Sequence, residues 1–150
     1  MDIGCYDGRA LEVVLRYQRW AHGVPRVFAF DLFDNVPEEA RKAAHGSELH
    51  RQTAIRLAQW DVLTIEGDIR QTSHYLPPRI AFAQIDLNDA EAEGHVFPLV
   101  YERLVKGGIV VFDDYGFRRY RESALTHQRF LEGKEQVLEL PTGQGLLVKA

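Results

Sequence analysis

Two adjacent carboxylates, Asp113 and Asp114, close the apolar run Gly107-Gly108-Ile109-Val110-Val111-Phe112 and are followed by Tyr115-Gly116. A Gly-Gly turn leading into β-branched and aromatic residues reads as a fully buried strand of a parallel sheet. Ligands of open α/β sheets sit just beyond the carboxyl ends of such strands. Neighbouring acids there repel one another and lose hydration, so a divalent cation or a cationic ligand is the economical partner. The plainer alternative is one Asp capping the next helix and the other facing solvent. Asp86, at the end of another apolar run over residues 79–85, supplies a third carboxylate. The three together suit Mg²⁺ or another hard divalent ion, which takes carboxylates and keeps several waters.

Other strand ends carry acids as well. Asp31, after residues 26–30, is placed like the acid that accepts hydrogen bonds from ribose hydroxyls in nucleoside-binding α/β folds. Asp68, after Gly67, can accept from an adenine amino group; for both, a solvent-exposed loop carboxylate is the alternative. In Gly4-Cys5-Tyr6-Asp7-Gly8 the glycines stand four apart, which permits positive φ and lets the backbone approach a ligand. This turn lacks the G-x-G-x-x-G spacing that seats a pyrophosphate on a helix N-terminus, so NAD is disfavoured.

The elements needed to position these groups alternate as in βαβ units. Residues 9–20 read as a helix with Leu11, Val14, Leu15 and Gln18 on one face. Residues 26–30 form the second strand. Ser47 is placed to cap a helix whose inner face carries Leu49, Ala54, Leu57 and Ala58. Residues 62–65 and 79–85 are the third and fourth strands, and Asn88 with Glu91 starts a capping-box-like helix over residues 89–106 that must accommodate Pro98. Residues 136–140 and 146–149 are two strands joined through Pro141-Thr142-Gly143-Gln144-Gly145, a turn-rich hairpin connection. A plain dinucleotide-binding domain would keep alternating instead of ending in a hairpin.

The chain has 150 residues, 45% of them hydrophobic, which suits one domain burying roughly two-thirds of its unfolded surface. A net charge of −4 offers no electrostatic footprint for nucleic acid or an anionic membrane. One Cys, Cys5, excludes an internal disulfide. With no apolar run of about 18 residues and no signal peptide, a soluble cytoplasmic protein is expected. A homo-oligomer is compatible with this composition. The short stretch before Gly4 predicts either a stub of a first strand or a natural protein that begins earlier, in which case a longer chain should be more stable and more active.

At these residues the chain resembles class I S-adenosylmethionine-dependent methyltransferases, and within them the macrocin O-methyltransferase-like family. The match runs through Asp2-Ile3-Gly4-Cys5-Tyr6-Asp7-Gly8, Phe30-Asp31-Leu32-Phe33-Asp34, Ile85-Asp86-Leu87-Asn88 and Val110-Val111-Phe112-Asp113-Asp114-Tyr115-Gly116, closing with Leu140-Pro141-Thr142-Gly143-Gln144-Gly145. The resemblance implies a Rossmann-like, mostly parallel sheet in the order 3-2-1-4-5-7-6 with a C-terminal antiparallel hairpin. It also implies S-adenosyl-L-methionine bound around Asp2, Gly4, Gly8, Asp31, Gly67, Asp68 and Asp86, and a magnesium-type ion on Asp86, Asp113 and Asp114. Asp86 and Asp113 would be catalytic, with a small-molecule hydroxyl acceptor such as a sugar or nucleotide sugar.

Two departures from the family pattern stand out. The resemblance implies a helical segment before the first strand, which the chain is expected to lack. After the fourth strand, Asp86-Leu87-Asn88-Asp89-Ala90 has Asn at the second acid of an Asp-x-Asp-x-Tyr pattern and no Tyr, which implies a changed substrate contact. His74, His95 and His127 are nominal bases that read as surface residues of helices or loops. Arg118, Arg119 and Arg121 can meet a phosphate-bearing acceptor or form a solvated helix face. The competing expectations are a metal-assisted O-methyltransferase, an S-adenosylmethionine-binding module that does not turn over, and an NAD-linked oxidoreductase, which the first turn and the terminal hairpin disfavour.

Overall fold

The computed structural model describes residues 1–18, 26–36 and 48–150. In chain order the elements are β1 (Asp2–Ile3), α1 (Arg9–Gln18), β2 (Val27–Asp31), α2 (Leu49–Leu57), β3 (Val62–Glu66), α3 (Ile69–Thr72), β4 (Ile80–Ile85), α4 (Ala90–Arg103), β5 (Leu104–Phe112), α5 (Arg121–Leu131), β6 (Leu138–Glu139) and β7 (Gly145–Val148). The seven strands follow the order β3-β2-β1-β4-β5-β7-β6, the order implied by the resemblance. β1 with β2, β2 with β3 and β4 with β5 pair in parallel, whereas β7 of the terminal hairpin runs antiparallel to β5 and to β6.

The chain divides into two compact units, one of residues 2–72 and one of residues 73–150 with Met1. In the first unit, β1 and β3 flank β2 with Ile3 opposite Phe30 and Ile65 opposite Phe30. Leu11 and Leu15 of α1 and Leu49 and Leu57 of α2 join Ala29 and Phe33 in its core. The helix faces differ in detail from the sequence pattern. Val14 is exposed, and the buried stripe of α2 is Leu49, Thr53 and Leu57, so spacing by four displaces the predicted Ala54 and Ala58. The expected positions of Trp20 and of the Ser47 cap lie outside the described residues; α2 is entered through Glu48 at φ 82°.

Thr53 is fully buried because Gly8 makes room for it. A Cβ on Gly8 would lie 3.0 Å from Thr53 Cγ2 and 3.2 Å from Leu57 Cδ1. Gly8 therefore allows the helix to approach the first turn. Cys5 sits in the same turn, buried, and burial together with the nearby charges of Asp2 and Asp31 pushes its thiol far above the ordinary cysteine range. We expect native protein at pH 8 to react with a disulfide reagent far more slowly than urea-unfolded protein. Equal rates in the two states would show that Cys5 is accessible.

In the second unit, β4 and β5 pair with an irregularity between Ile80 and Phe82, whose partners are Leu104 and Ile109. Four residues of β5, Val105 to Gly108, stand opposite the single Ala81 of β4, a bulge that contains Gly107 at φ 74°. The Gly-Gly pair is thus inside the strand instead of forming a turn before it. Beyond the bulge, burial alternates, with Val110 and Phe112 buried and Ile109 and Val111 only half-buried. The helix over residues 89–106 ends earlier than expected, at Arg103, and its cap is Asp89 instead of Asn88: the Asp89 carboxylate accepts from Glu91 N and Ala92 N. Pro98 is accommodated within the helix. Phe97 from this helix meets Phe112, Phe130 and His127 edge-on at 4.9, 5.1 and 5.2 Å, the favoured aromatic geometry.

Candidate functional site

In the first unit, the end of β2 and the turn after β1 are tied together by one carboxylate. Gly4 N and Cys5 N donate to Phe30 O at 2.8 and 3.2 Å. Asp31 Oδ2 accepts from Tyr6 N at 2.7 Å, and Asp31 Oδ1 from Phe33 N at 2.9 Å. Tyr6 and Phe33 both hold left-handed backbone, at φ 49° and 48°, which for non-glycine residues costs about 1–3 kcal/mol each. The charge-assisted bonds that Tyr6 N and Phe33 N donate to Asp31 offset that strain. Each Asp31 oxygen retains a second lone pair, so a ribose hydroxyl can still donate to it. Gly4, at φ 91°, takes the conformation foreseen for it.

Gly67 has φ 129°, and its N–H donates to Asp31 O at 2.9 Å. Asp68 is already engaged: Oδ1 accepts from Arg70 N at 2.9 Å, and Oδ2 pairs with the Arg70 guanidinium at 2.6 Å. Its place is the start of α3, so an adenine contact would compete with this local pair. Asp2 is buried.

The second unit brings three acids together as foreseen. Among the described residues, Asp86, Asp113 and Asp114 each offer one carboxylate oxygen, all within 4.8 Å of one another, and all three residues are half-buried. Backbone pairing sets this spacing, since Ile85 pairs with Phe112 and Asp113 N donates to Ile85 O at 3.1 Å. Two neutral amides contact the cluster. Asn88 Nδ2 donates to Asp86 Oδ1 at 2.8 Å, and Gln144 Nε2 donates to Asp113 Oδ1 at 2.8 Å. Asn88, at φ 57°, contributes a neutral amide to Asp86 in place of a fourth charge. Converging carboxylate oxygens at partial burial match what a hard divalent cation requires.

Behind the acids lies a buried pair that sequence reasoning missed. His127 is 1% exposed and Glu93 6%, with Nε2 and Oε2 3.2 Å apart but out of line for a hydrogen bond. The His127 ring stacks on Phe112 at 4.0 Å, and both members of the pair line a small cavity with Asp86, Asp113 and Asp114. The expectation of a surface His127 is therefore wrong. The signal that could have revealed it is the spacing Ala124-His127-Leu131 on the apolar stripe of α5, a helix that the sequence reading did not delineate. His95 does lie near the surface, 3.3 Å from Ser73 Oγ, and the His74 ring lies tilted by 41° against Tyr75 at 4.0 Å. Arg118, Arg119 and Arg121 are exposed, with Arg119 over the Tyr120 ring.

Residues 1–115 match a family described as methyltransferase domain. Among solved structures, CalS11, described as a TDP-rhamnose 3'-O-methyltransferase of calicheamicin biosynthesis, aligns with TM-score 0.76 and 22% identity over 99% of this chain and 70% of its own. The O-methyltransferase NovP aligns with TM-score 0.79 and 16% identity over 99% of this chain and 70% of its own. An rRNA methylase from Streptococcus thermophilus aligns with TM-score 0.65 and 15% identity, over 99% of this chain and 84% of its own. The fold is thus shared by proteins described as acting on small molecules and on RNA. No curated protein sequence matches the chain. Among the described residues no helix is long and apolar enough to cross a membrane. With its sheet order and with most of its length inside the matched region, the chain belongs to the methyltransferase domain family.

Proposed function

We propose that the chain is a single S-adenosyl-L-methionine-dependent O-methyltransferase domain of the macrocin O-methyltransferase-like kind, methylating a hydroxyl of a sugar or other small molecule with help from a divalent cation. The observation that carries this reading is the convergence of Asp86, Asp113 and Asp114 oxygens within 4.8 Å. Methyl transfer in general does not need such a cluster, whereas transfer to an alcohol gains from one, because a hydroxyl must lose its proton as the C–O bond forms.

In this reading Gly4, Gly8 and the Asp31-braced turn, with Asp2, Gly67, Asp68 and Asp86, hold the cofactor, and Asp86, Asp113 and Asp114 hold the cation. S-adenosylmethionine supplies an electrophilic methyl group, and a bound Mg²⁺ supplies charge that favours alkoxide character in the acceptor. The protein's own task is alignment and proton removal. The acceptor oxygen must lie in line with the methyl–sulfur bond, and a carboxylate oxygen of Asp86 or Asp113 takes the hydroxyl proton. The products are S-adenosylhomocysteine, the methyl ether and one proton. Arg118, Arg119 and Arg121, three exposed guanidinium groups directly after the acid motif, suit a phosphate on the acceptor, as a nucleotide sugar would carry.

Calorimetric titration tests the cofactor assignment. We expect S-adenosylmethionine or S-adenosylhomocysteine to bind and NAD not to bind measurably at the same protein concentration. Tight NAD binding with no heat from S-adenosylmethionine would sink the reading.

A further inference from the structure

We propose that Gln144, itself held by Thr142, is a positioning residue that aims the Asp113 carboxylate; the inference rests on the metal-assisted reading above. An Asp carboxylate turns about its last side-chain bond, so a ligand oxygen is presented reliably only if the other oxygen is held. At Asp113 that hold is Gln144 Nε2 on Oδ1 at 2.8 Å. The amide is oriented in turn by Thr142 Oγ1, which donates to Gln144 Oε1 at 3.1 Å. The reverse amide orientation would set its oxygen against a carboxylate oxygen. A neutral donor suits this place, because a Lys or Arg would cancel the charge that attracts a divalent ion.

The loop carrying this pair is built onto the acid motif. Gly116 N donates to Gly143 O at 2.7 Å, and Gly143 N to Leu140 O at 2.9 Å closes the turn. Gly143 has φ 88°, and a Cβ there would lie 2.7 Å from the Phe117 ring. At Gly145 a Cβ would lie 2.6 Å from the Tyr115 ring. Pro141-Thr142-Gly143-Gln144-Gly145 thus has a role beyond reversing the chain: its glycines seat it against Tyr115-Gly116-Phe117, and that seating delivers the Gln144 amide to Asp113.

The test uses Mn²⁺ as the probe and the full chain without cofactor, with binding read from the electron paramagnetic resonance of free Mn²⁺. Gln144→Met keeps the length and removes the donor, and is expected to weaken Mn²⁺ binding about 10- to 100-fold, the range for lost ligand-orienting hydrogen bonds. Thr142→Ala should weaken it less and Thr142→Ser should restore it. Turnover should show a raised Mn²⁺ requirement, with kcat approaching the parent value once metal is saturating. Unchanged Mn²⁺ affinity in Gln144→Met overturns the role of Gln144. If Gln144→Met melts well below the parent, the Thr142 pair decides, and equal Mn²⁺ affinity in Thr142→Ala and Thr142→Ser overturns the proposal. A parent protein that binds no Mn²⁺ overturns the metal-assisted reading and this inference with it.

Discussion

Treatment with EDTA is expected to abolish methyl transfer to a hydroxyl acceptor, and added Mg²⁺ to restore it. Asp113→Asn should reproduce the loss, lowering kcat by about 100- to 10,000-fold, the range associated with losing a positioned acid–base group, while changing cofactor affinity by less than about twofold. The reasoning is local. Asn keeps the volume of Asp, and Asp113 N still donates to Ile85 O, so the β4–β5 ends should remain paired. What disappears is one of the three negative charges whose oxygens meet within 4.8 Å. A loss shared equally between kcat and cofactor affinity would point instead to a displaced strand end. Full turnover in EDTA would return Asp113 and Asp114 to capping and structural roles.

Local pattern carried the fold and the acid cluster further than it carried the cluster's surroundings. The strands β2 to β5 were visible as short apolar runs ending at an acid, and Asp86, Asp113 and Asp114 come together at two of those ends. Gly4 also adopts the positive φ foreseen for it. Contacts distant in sequence were not visible. Nothing around residue 144 shows that its amide meets a carboxylate 31 positions earlier, and nothing around Gly8 shows that its missing side chain is filled by Thr53. Both depend on how a loop or helix docks, which no single window encodes.

A second class of error came from composition. His127 has polar character and was placed outside, yet it stacks on Phe112 beside Glu93 in the interior. The Gly107-Gly108 pair read as punctuation, yet the pairing of Ile80 with Leu104 and of Phe82 with Ile109 puts it in a bulge. Asn88 and Asp89 compete for the same cap. The outcome follows from backbone conformation, since Asn88 is left-handed at φ 57°, whereas Asp89 is extended, as a capping residue requires.

The second large effect is expected at Asp31, where one carboxylate has two duties. Asp31→Ala removes the acceptor for Tyr6 N and Phe33 N, each a bond to a charged group and worth about 1.5–3 kcal/mol. Part of that returns through water, because the site is only partly buried, so unfolding in urea without ligand should show a loss of about 2–4 kcal/mol. Both bonds hold left-handed residues, so the turn they brace should also lose its order, and S-adenosylmethionine affinity should fall about 10- to 100-fold, one to two powers of ten at 1.4 kcal/mol each. Calorimetry well below the melting temperature separates the two duties. Lost stability with unchanged affinity would make Asp31 a brace for the turn alone and send the ribose contact elsewhere. Lost affinity with unchanged stability would mean that Tyr6 and Phe33 hold their conformations without it. The combined loss is the expected result, because each oxygen that braces the turn accepts one backbone N–H and keeps a second lone pair for a ligand hydroxyl.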